Sequence, residues 1–274
     1  MNSKYILLIS NELSTFYTAY LLVKSDTPPS GIIIGNYKGL KNRIKFEKSL
    51  ISKYGVFKRF SQIFASILHK LIDGRKDKNM LKELYEEFTQ EDLFEIAEKL
   101  SLPIVNLKSY DYGNQKVVKF ISSINPYFLV CHTPFWIPKK IRDLIYSKII
   151  IGSHPGIIPW FRGSNSTFWA RYKNKDDYNG YSIFCINSGV DSGPIIKREY
   201  IKYDVNISYR ANDYLLLNMI SKEIVKVVDD CIKGKLPNLK KQKPILSNQI
   251  YKNPGIIEYI IFRYKEFKKI RDKK

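Results

Sequence analysis

One histidine and one aspartate carry the clearest chemical potential in this chain. His154 lies in Gly152-Ser153-His154-Pro155-Gly156-Ile157-Ile158-Pro159-Trp160-Phe161-Arg162-Gly163, immediately after the apolar run 148–151. Pro155, Gly156, Pro159 and Gly163 punctuate that stretch and hold the imidazole in a rigid loop rather than on a mobile tether. A second loop, Ser188-Gly189-Val190-Asp191-Ser192-Gly193-Pro194, presents a carboxylate 37 residues downstream of the histidine. A fixed imidazole and a fixed carboxylate can act as a base and its orienting partner.

Other chemistries fit less well. His154 and Asp191 are too few for a metal, and no second histidine follows at i+4, so no metal site is expected. Gly152–Gly156 lacks the Gly-Lys-Ser/Thr ending of a phosphate loop. Adjacent Ser153 and His154 do not make a hydrolase, because a triad is a matter of geometry. Cys131, Cys185 and Cys231 are dispersed and odd in number, which argues for reduced thiols and a cytoplasmic setting.

The elements that must position the pair are legible around it. Residues 5–9 form an apolar run, a helical pattern covers 13–24, and Gly31–Gly35 is a second buried run, together a βαβ signal. Apolar residues recur at helical spacing from Val56 to Leu71, and a further helix is expected over Met80–Leu100. Short strands are expected at 103–105, 127–131, 148–151, 181–186 and 195–201, with helices at 115–124 and 210–233. Such alternation predicts an α/β fold: a mostly parallel twisted sheet with helices on both faces. In such sheets ligands sit outside the carboxyl ends of the strands, where His154 falls. The organisation read from this pattern is a catalytic unit over 1–235, a helical insertion within it over 36–100, and a basic C-terminal extension over 236–274.

The chain has 274 residues, 44% hydrophobic and 26% charged, which excludes a disordered polymer. No apolar run reaches the roughly 18 residues of a membrane span. The net charge of +20 suits nucleic acid, an anionic membrane or a phosphorylated substrate, and equally a Lys- and Ile-rich composition with no functional meaning. Lys53, Lys58, Arg59 and Lys70 flank the 52–72 helix, which reads either as a helix packed on its own core or as a peripheral contact with an anionic membrane.

The segment 148–200 resembles the core of the folate-dependent formyltransferases, a superfamily that includes glycinamide ribonucleotide, methionyl-tRNA and sugar N-formyltransferases. The shared pattern appears as His154-Pro155, Ile158-Pro159, Arg162-Gly163 and Asp191-Ser192-Gly193-Pro194-Ile195-Ile196. The resemblance implies a Rossmann-like fold, N10-formyltetrahydrofolate as donor and an amine as acceptor. It implies His154 and Asp191 as the catalytic pair, with His154 moving a proton or stabilising an oxyanion and Asp191 fixing it. Pro155, Gly156, Pro159, Arg162, Gly163, Gly193 and Pro194 would shape the loops. Donor contacts are expected from Phe135, Trp136 and Ile137 in the aromatic loop after the 127–131 strand, and from Ile186, Gly189 and Val190.

One departure is serious. The family's asparagine lies two residues before the histidine, and here that position is Gly152. Ser153 is adjacent, but neighbours in extended chain point to opposite faces. Three readings are open: Thr133, His132, Asn165 or a water fills the gap; the acceptor or acyl donor differs; or the chain is a catalytically impaired binding protein. Too few residues follow the 210–233 helix for the C-terminal barrel of a methionyl-tRNA formyltransferase, so tRNA ranks second as partner. By elimination the expected acceptor is a phosphorylated small-molecule amine, foremost a nucleotide-linked amino sugar.

Overall fold

The computed structural model describes residues 4–36, 39–235, 239, 241–243 and 249–271. Its centre is a set of strands written as continuous apolar runs, because both faces of a parallel sheet are covered. The first, β1 (Tyr5–Ser10), has all six residues buried. It leads through α1 (Leu13–Val23) to β2 (Gly31–Gly35). Three helices follow: α2 (Leu40–Tyr54), α3 (Val56–Leu84) and α4 (Gln90–Lys99). The chain then runs through β3 (Ile104–Asn106), α5 (Gln115–Ile124), β4 (Phe128–His132), α6 (Lys139–Asp143) and β5 (Ile150–His154). The last part holds β6 (Arg162–Gly163), α7 (Ser166–Tyr172), β7 (Gly180–Cys185), β8 (Ile195–Tyr200), α8 (Tyr209–Ile232), β9 (Ile250–Tyr251) and α9 (Ile256–Arg271).

Seven strands form one sheet in the order β3-β2-β1-β4-β5-β7-β8. The first five are parallel, while β7 runs antiparallel to both β5 and β8. Strand order reverses between β1 and β4, so a crevice opens at their carboxyl ends, where such sheets bind ligands. Alternate residues feed two cores. Tyr5, Leu7, Ile9 and Val130 pack under α1 and α8, and Ile6, Leu8, Leu129 and Cys131 pack under α5 and α6. Burying each such aliphatic side chain contributes at most about 1.5–3 kcal/mol.

Most boundaries shift by a residue or two from the sequence reading, and two differences are larger. The helix expected over Met80–Leu100 is instead the end of α3 and a separate α4. The break comes where Tyr85 and Phe88 turn into the core and Thr89 caps α4, its hydroxyl accepting from the Asp92 N–H while the Asp92 carboxylate accepts from the Thr89 N–H. The strand expected to stop at 151 continues to His154, because pairing with β7 extends it to the His154–Ser182 register.

The C-terminal residues fold back onto this frame. β9 pairs in parallel with β6, and α9 packs on α3 and α7. A third core of Ala65, Phe168, Tyr209, Tyr259 and Phe262 ties these helices together. At its edge His69 bonds Asp77 (2.7 Å), Asp77 accepts from Ser208 at the cap of α8, and Asp73 pairs with Arg263 of α9. His69 thus has a structural role, holding three helices together.

Candidate active site

His154 ends β5 and is almost wholly buried. Its Nε2 lies 2.8 Å from the Phe161 carbonyl and 2.8 Å from Ser166 Oγ. The Ser166 hydroxyl donates to that same carbonyl, so Nε2 carries a hydrogen and is a donor. That tautomer turns Nδ1 towards Asp191, whose Oδ2 stands 3.6 Å away. The predicted histidine and aspartate are therefore brought together.

The loops are built to allow this approach. A Cβ at Gly156 would stand 2.5 Å from Ser166 Oγ and 2.7 Å from His154 Nε2, so any side chain there would displace the ring or its partner. Ser182 fixes the same turn, donating to the Gly156 carbonyl and accepting from the Ile158 N–H. The Ile158–Pro159 bond is cis, and Arg162 is buried with its backbone paired to β9. Gly163 has φ +96°, and a Cβ there would meet the Tyr251 carbonyl at 2.3 Å. Its N–H donates to Asp191 Oδ2 at 2.8 Å. Asp191 itself is left-handed, at φ +46°. Beyond it, Gly193 and Pro194 return the chain to β8, and the Pro194 carbonyl accepts from Cys185 N–H.

Gln242, in the C-terminal part, donates its side-chain amide to the carbonyls of both Asp191 (2.9 Å) and Gly193 (2.8 Å). Sequence reasoning missed this clamp, because nothing in a lysine-rich stretch marks one glutamine as a bracket.

The candidates for the vacant asparagine role differ in how far they are engaged: Thr133 and Asn165 are bonded elsewhere, while Ser153 Oγ and His132 Nε2 are buried without a partner. A Cβ at Gly152 would stand 2.6 Å from Ile186 Cγ1, so an aliphatic side chain fills that space. Ser153 aligns with Ile183 of the α1–α8 core, on the face opposite Gly152, and its buried hydroxyl has no partner. Thr133 bonds the Tyr112 hydroxyl and the Phe135 N–H. Asn165 donates to Asn253. His132 is buried with Nδ1 on the Thr18 hydroxyl, and burial pushes its pKa down to about 4, which keeps it neutral.

The expected donor residues are divided. Phe135 stacks on Tyr110 at 4.8 Å and Ile137 is in the core, so neither is free to receive a ring without rearrangement. Val190 is 38% exposed and Ile186 partly covered, leaving apolar surface at the Asp191 loop, while Trp136 is 50% exposed with Arg142 over its ring. Gly189 donates its N–H to the Asn187 side chain and shapes that loop.

A cavity of about 720 Å³ opens next to the histidine loop, with neither His154 nor Asp191 on its wall. Asn11 and Glu12 line it from the end of β1, Pro155 and Asn165 from the histidine loop, and Arg59 and Ser66 from α3. The first turn of α8 supplies Tyr209, Arg210, Asp213 and Tyr214. Glu47 neutralises Arg59 through two bonds of 2.7 Å. Arg210 is held only by the hydroxyls of Tyr209 and Ser66, and no carboxylate among the described residues forms an ion pair with it. Asp213 has one buried oxygen without a partner, and burial pushes its carboxyl up to about 7 against the pull of Thr167 and Arg210. Neither residue was singled out from the sequence, where both read as ordinary polar positions of an amphipathic helix.

A doubly wound sheet whose carboxyl edge sets a buried histidine against an aspartate, with a ligand-sized cavity next to the histidine loop, defines a Rossmann-like fold. The formyl transferase pattern matches residues 72–211, just over half of the chain. The chain belongs to the formyl transferase family. It is 26% identical over 162 residues to methionyl-tRNA formyltransferase of Finegoldia magna, an alignment covering 59% of this chain and 50% of that one. The chain spans about half the length of the curated relatives it matches. The phosphoribosylglycinamide formyltransferase of Anaplasma phagocytophilum superposes with a TM-score of 0.56 at 15% identity, covering 85% of this chain and 88% of that one. The N-formyltransferase of Helicobacter canadensis, crystallised with folinic acid and dTDP-3-aminofucose, superposes at 0.53 with 13% identity, covering 90% and 70%. At these identities the structural likeness speaks for the fold. Among the described residues no cluster could hold a metal ion, and no helix is long and apolar enough to cross a membrane.

Proposed function

We propose that this chain transfers a formyl group from N10-formyltetrahydrofolate to a primary amine on a phosphorylated small molecule, foremost a nucleotide-linked amino sugar. The observation that carries the reading is the His154–Asp191 pair, 3.6 Å apart at the sheet edge, with Pro155 and Asn165 of the histidine loop on the wall of the 720 Å³ cavity. The folate would supply an activated formyl carbon. Trp136, Ile186 and Val190 offer the apolar surface that a flat ring covers, and the cavity volume suits an acceptor of nucleotide size.

The chain's own residues then hold and move protons. Phe161 fixes the Nε2 hydrogen of His154, so Nδ1 is the atom that can receive and return one. Asp191, anchored by Gly163 N–H and by Gln242, stabilises the charge that appears on the ring. Of the two arginines on the cavity wall, Arg210 is the one with no carboxylate in ion-pair contact among the described residues, which supports a role in meeting an acceptor phosphate. With Gly152 sealed by Ile186, the side-chain amide that would face the developing oxyanion is missing, and a slower enzyme is expected, by about 10²–10³.

A second reading, formylation of methionyl-tRNA, is favoured by the names of the curated relatives and by the charge of +20. One assay separates the two. The chain is incubated with N10-formyltetrahydrofolate and either dTDP-linked or UDP-linked amino sugars or charged initiator tRNA, and formylated product is read by mass spectrometry. Amino-sugar product that disappears in His154→Ala and Asp191→Asn, with a raised KM in Arg210→Gln, supports the first reading. Product on tRNA alone supports the second. Wild-type rates in both His154→Ala and Asp191→Asn would overturn the catalytic assignment.

A further inference from the structure

Beyond the cavity, the molecule carries an apolar surface that its own fold leaves uncovered. On α3 the residues opposite the buried face run Phe57, Phe60, Phe64, Ile67, Leu71, at alternating spacings of three and four, and are 49–92% exposed. The same line continues as Arg75, Lys78 and Lys82, all exposed. The buried line of α3 is Gln62, Ala65, His69, Asp73 and Asp77, so its two central acids face inward. A helix that sends its acids inward and five large apolar groups outward is not packed on its own core along that outer face.

The neighbouring helix repeats the pattern. On α9, Ile257, Ile260, Tyr264 and Phe267 are 54–68% exposed at the same spacing, followed by exposed Lys268 and Arg271. The two helices run parallel. Ser61 meets Ile256, His69 meets Tyr259 and Asp73 meets Arg263, the numbers rising together. Both apolar lines therefore begin at one end of the helix pair, and both basic ends lie at the other. In front of α3, α2 buries no residue at all and exposes Lys41, Arg43, Lys45 and Lys48. Residues 40–84 hold twelve Lys and Arg against four Asp and Glu, and two of those four acids are the buried pair on α3.

This charge selects the occupant. A second copy would set one cationic helix pair against another, at a cost from like charge. An anionic bilayer accepts apolar side chains below its headgroups and pairs with basic ones at their level. We infer that the outer face of α2, α3 and α9 docks on an anionic phospholipid bilayer, with the apolar lines inserted and the basic ends on lipid phosphates. Ile63 and Ile67 of α3 also line the large cavity, so docking sets the cavity beside the lipid surface. The inference goes beyond the formyl-transfer reading and does not depend on it, because docking is measured without turnover.

The test is co-sedimentation of the full chain with vesicles of phosphatidylglycerol and phosphatidylcholine in equal parts, against phosphatidylcholine alone. The expected result is binding to the anionic vesicles at least about tenfold tighter than to the neutral ones, weakened by salt. Phe57→Gln/Phe60→Gln/Phe64→Gln and, separately, Arg75→Glu/Lys78→Glu should each lower it at least about tenfold. All five side chains are exposed, so circular dichroism and melting should match the wild type. Wild-type failure to bind either vesicle overturns the proposal, as does binding that both variants retain. Self-association in sedimentation velocity that the phenylalanine variant abolishes, without vesicle binding, assigns the face to a second copy instead and equally overturns it.

Discussion

Replacing Gly152 tests how the site was remodelled. An alanine Cβ at that position would stand 2.6 Å from Ile186 Cγ1 and 2.8 Å from its Cδ1, with the Phe184 ring at 3.5 Å. Carbon atoms prefer about 3.5–4.0 Å, so the new methyl lies about an ångström inside contact with Ile186. Ile186 cannot simply swing away, because it packs on Ile158, Phe184 and Ile195. Gly152→Ala should therefore cost about 1–3 kcal/mol of stability. Ile186→Ala should cost about 2 kcal/mol, at the low end for a partly covered isoleucine. With Ile186 shortened, adding Gly152→Ala should cost less than about 0.5 kcal/mol, giving a coupling of at least about 0.5 kcal/mol between the two positions. Urea denaturation of the four proteins measures this directly. Additive costs, or a neutral Gly152→Ala in the presence of Ile186, would refute the argument that Ile186 occupies the missing side chain's space.

Gln242→Ala removes two hydrogen bonds from the Asp191 loop and should lower kcat about 10- to 100-fold with a smaller change in KM, and steady-state kinetics decides it. Asp213→Asn should stabilise the fold in a pH-dependent way. The folded-state carboxyl titrates at about 7 and the unfolded one near 3.8, so ionisation opposes folding increasingly as pH rises from about 4 to 7 and by a constant amount above that. Since the side chain is partly open to the cavity, a gain of about 1–2 kcal/mol at pH 8, vanishing near pH 4, is expected in thermal melts.

The parts of this molecule that could be read from the sequence are those with local signatures. The apolar runs at 5–9, 31–35 and 128–131 became parallel strands because burial on both faces leaves no alternation to misread. The same holds for the His154 and Asp191 loops, whose glycines and prolines specify backbone. Two kinds of feature were hidden. The split between α3 and α4 turns on Tyr85 and Phe88 rotating inward, and helical periodicity passes through that point without a mark. Gln242, Arg210 and Asp213 reach the site only through tertiary packing, and Ile186 against Gly152 is a contact between strands. The exposed line on α3 was visible as an amphipathic helix, but its orientation, with acids inward and phenylalanines outward, needed the packing partners.

The clamp on the Asp191 loop has a consequence for how the molecule comes into being. Asp191 and Gly163 are both held by residues that lie far downstream, Gln242 for one and β9 for the other. The strands through β8 are all made once residue 200 has been added, and α8 then covers the face that Tyr5, Leu7, Ile9 and Val130 present. The brackets on the reactive loops, Gln242 and β9, are made later still. Synthesis therefore passes through a stage in which the strands are present but Asp191 lacks its Gln242 clamp and Gly163 its pairing with β9, so the loops of the centre are braced only by a later segment.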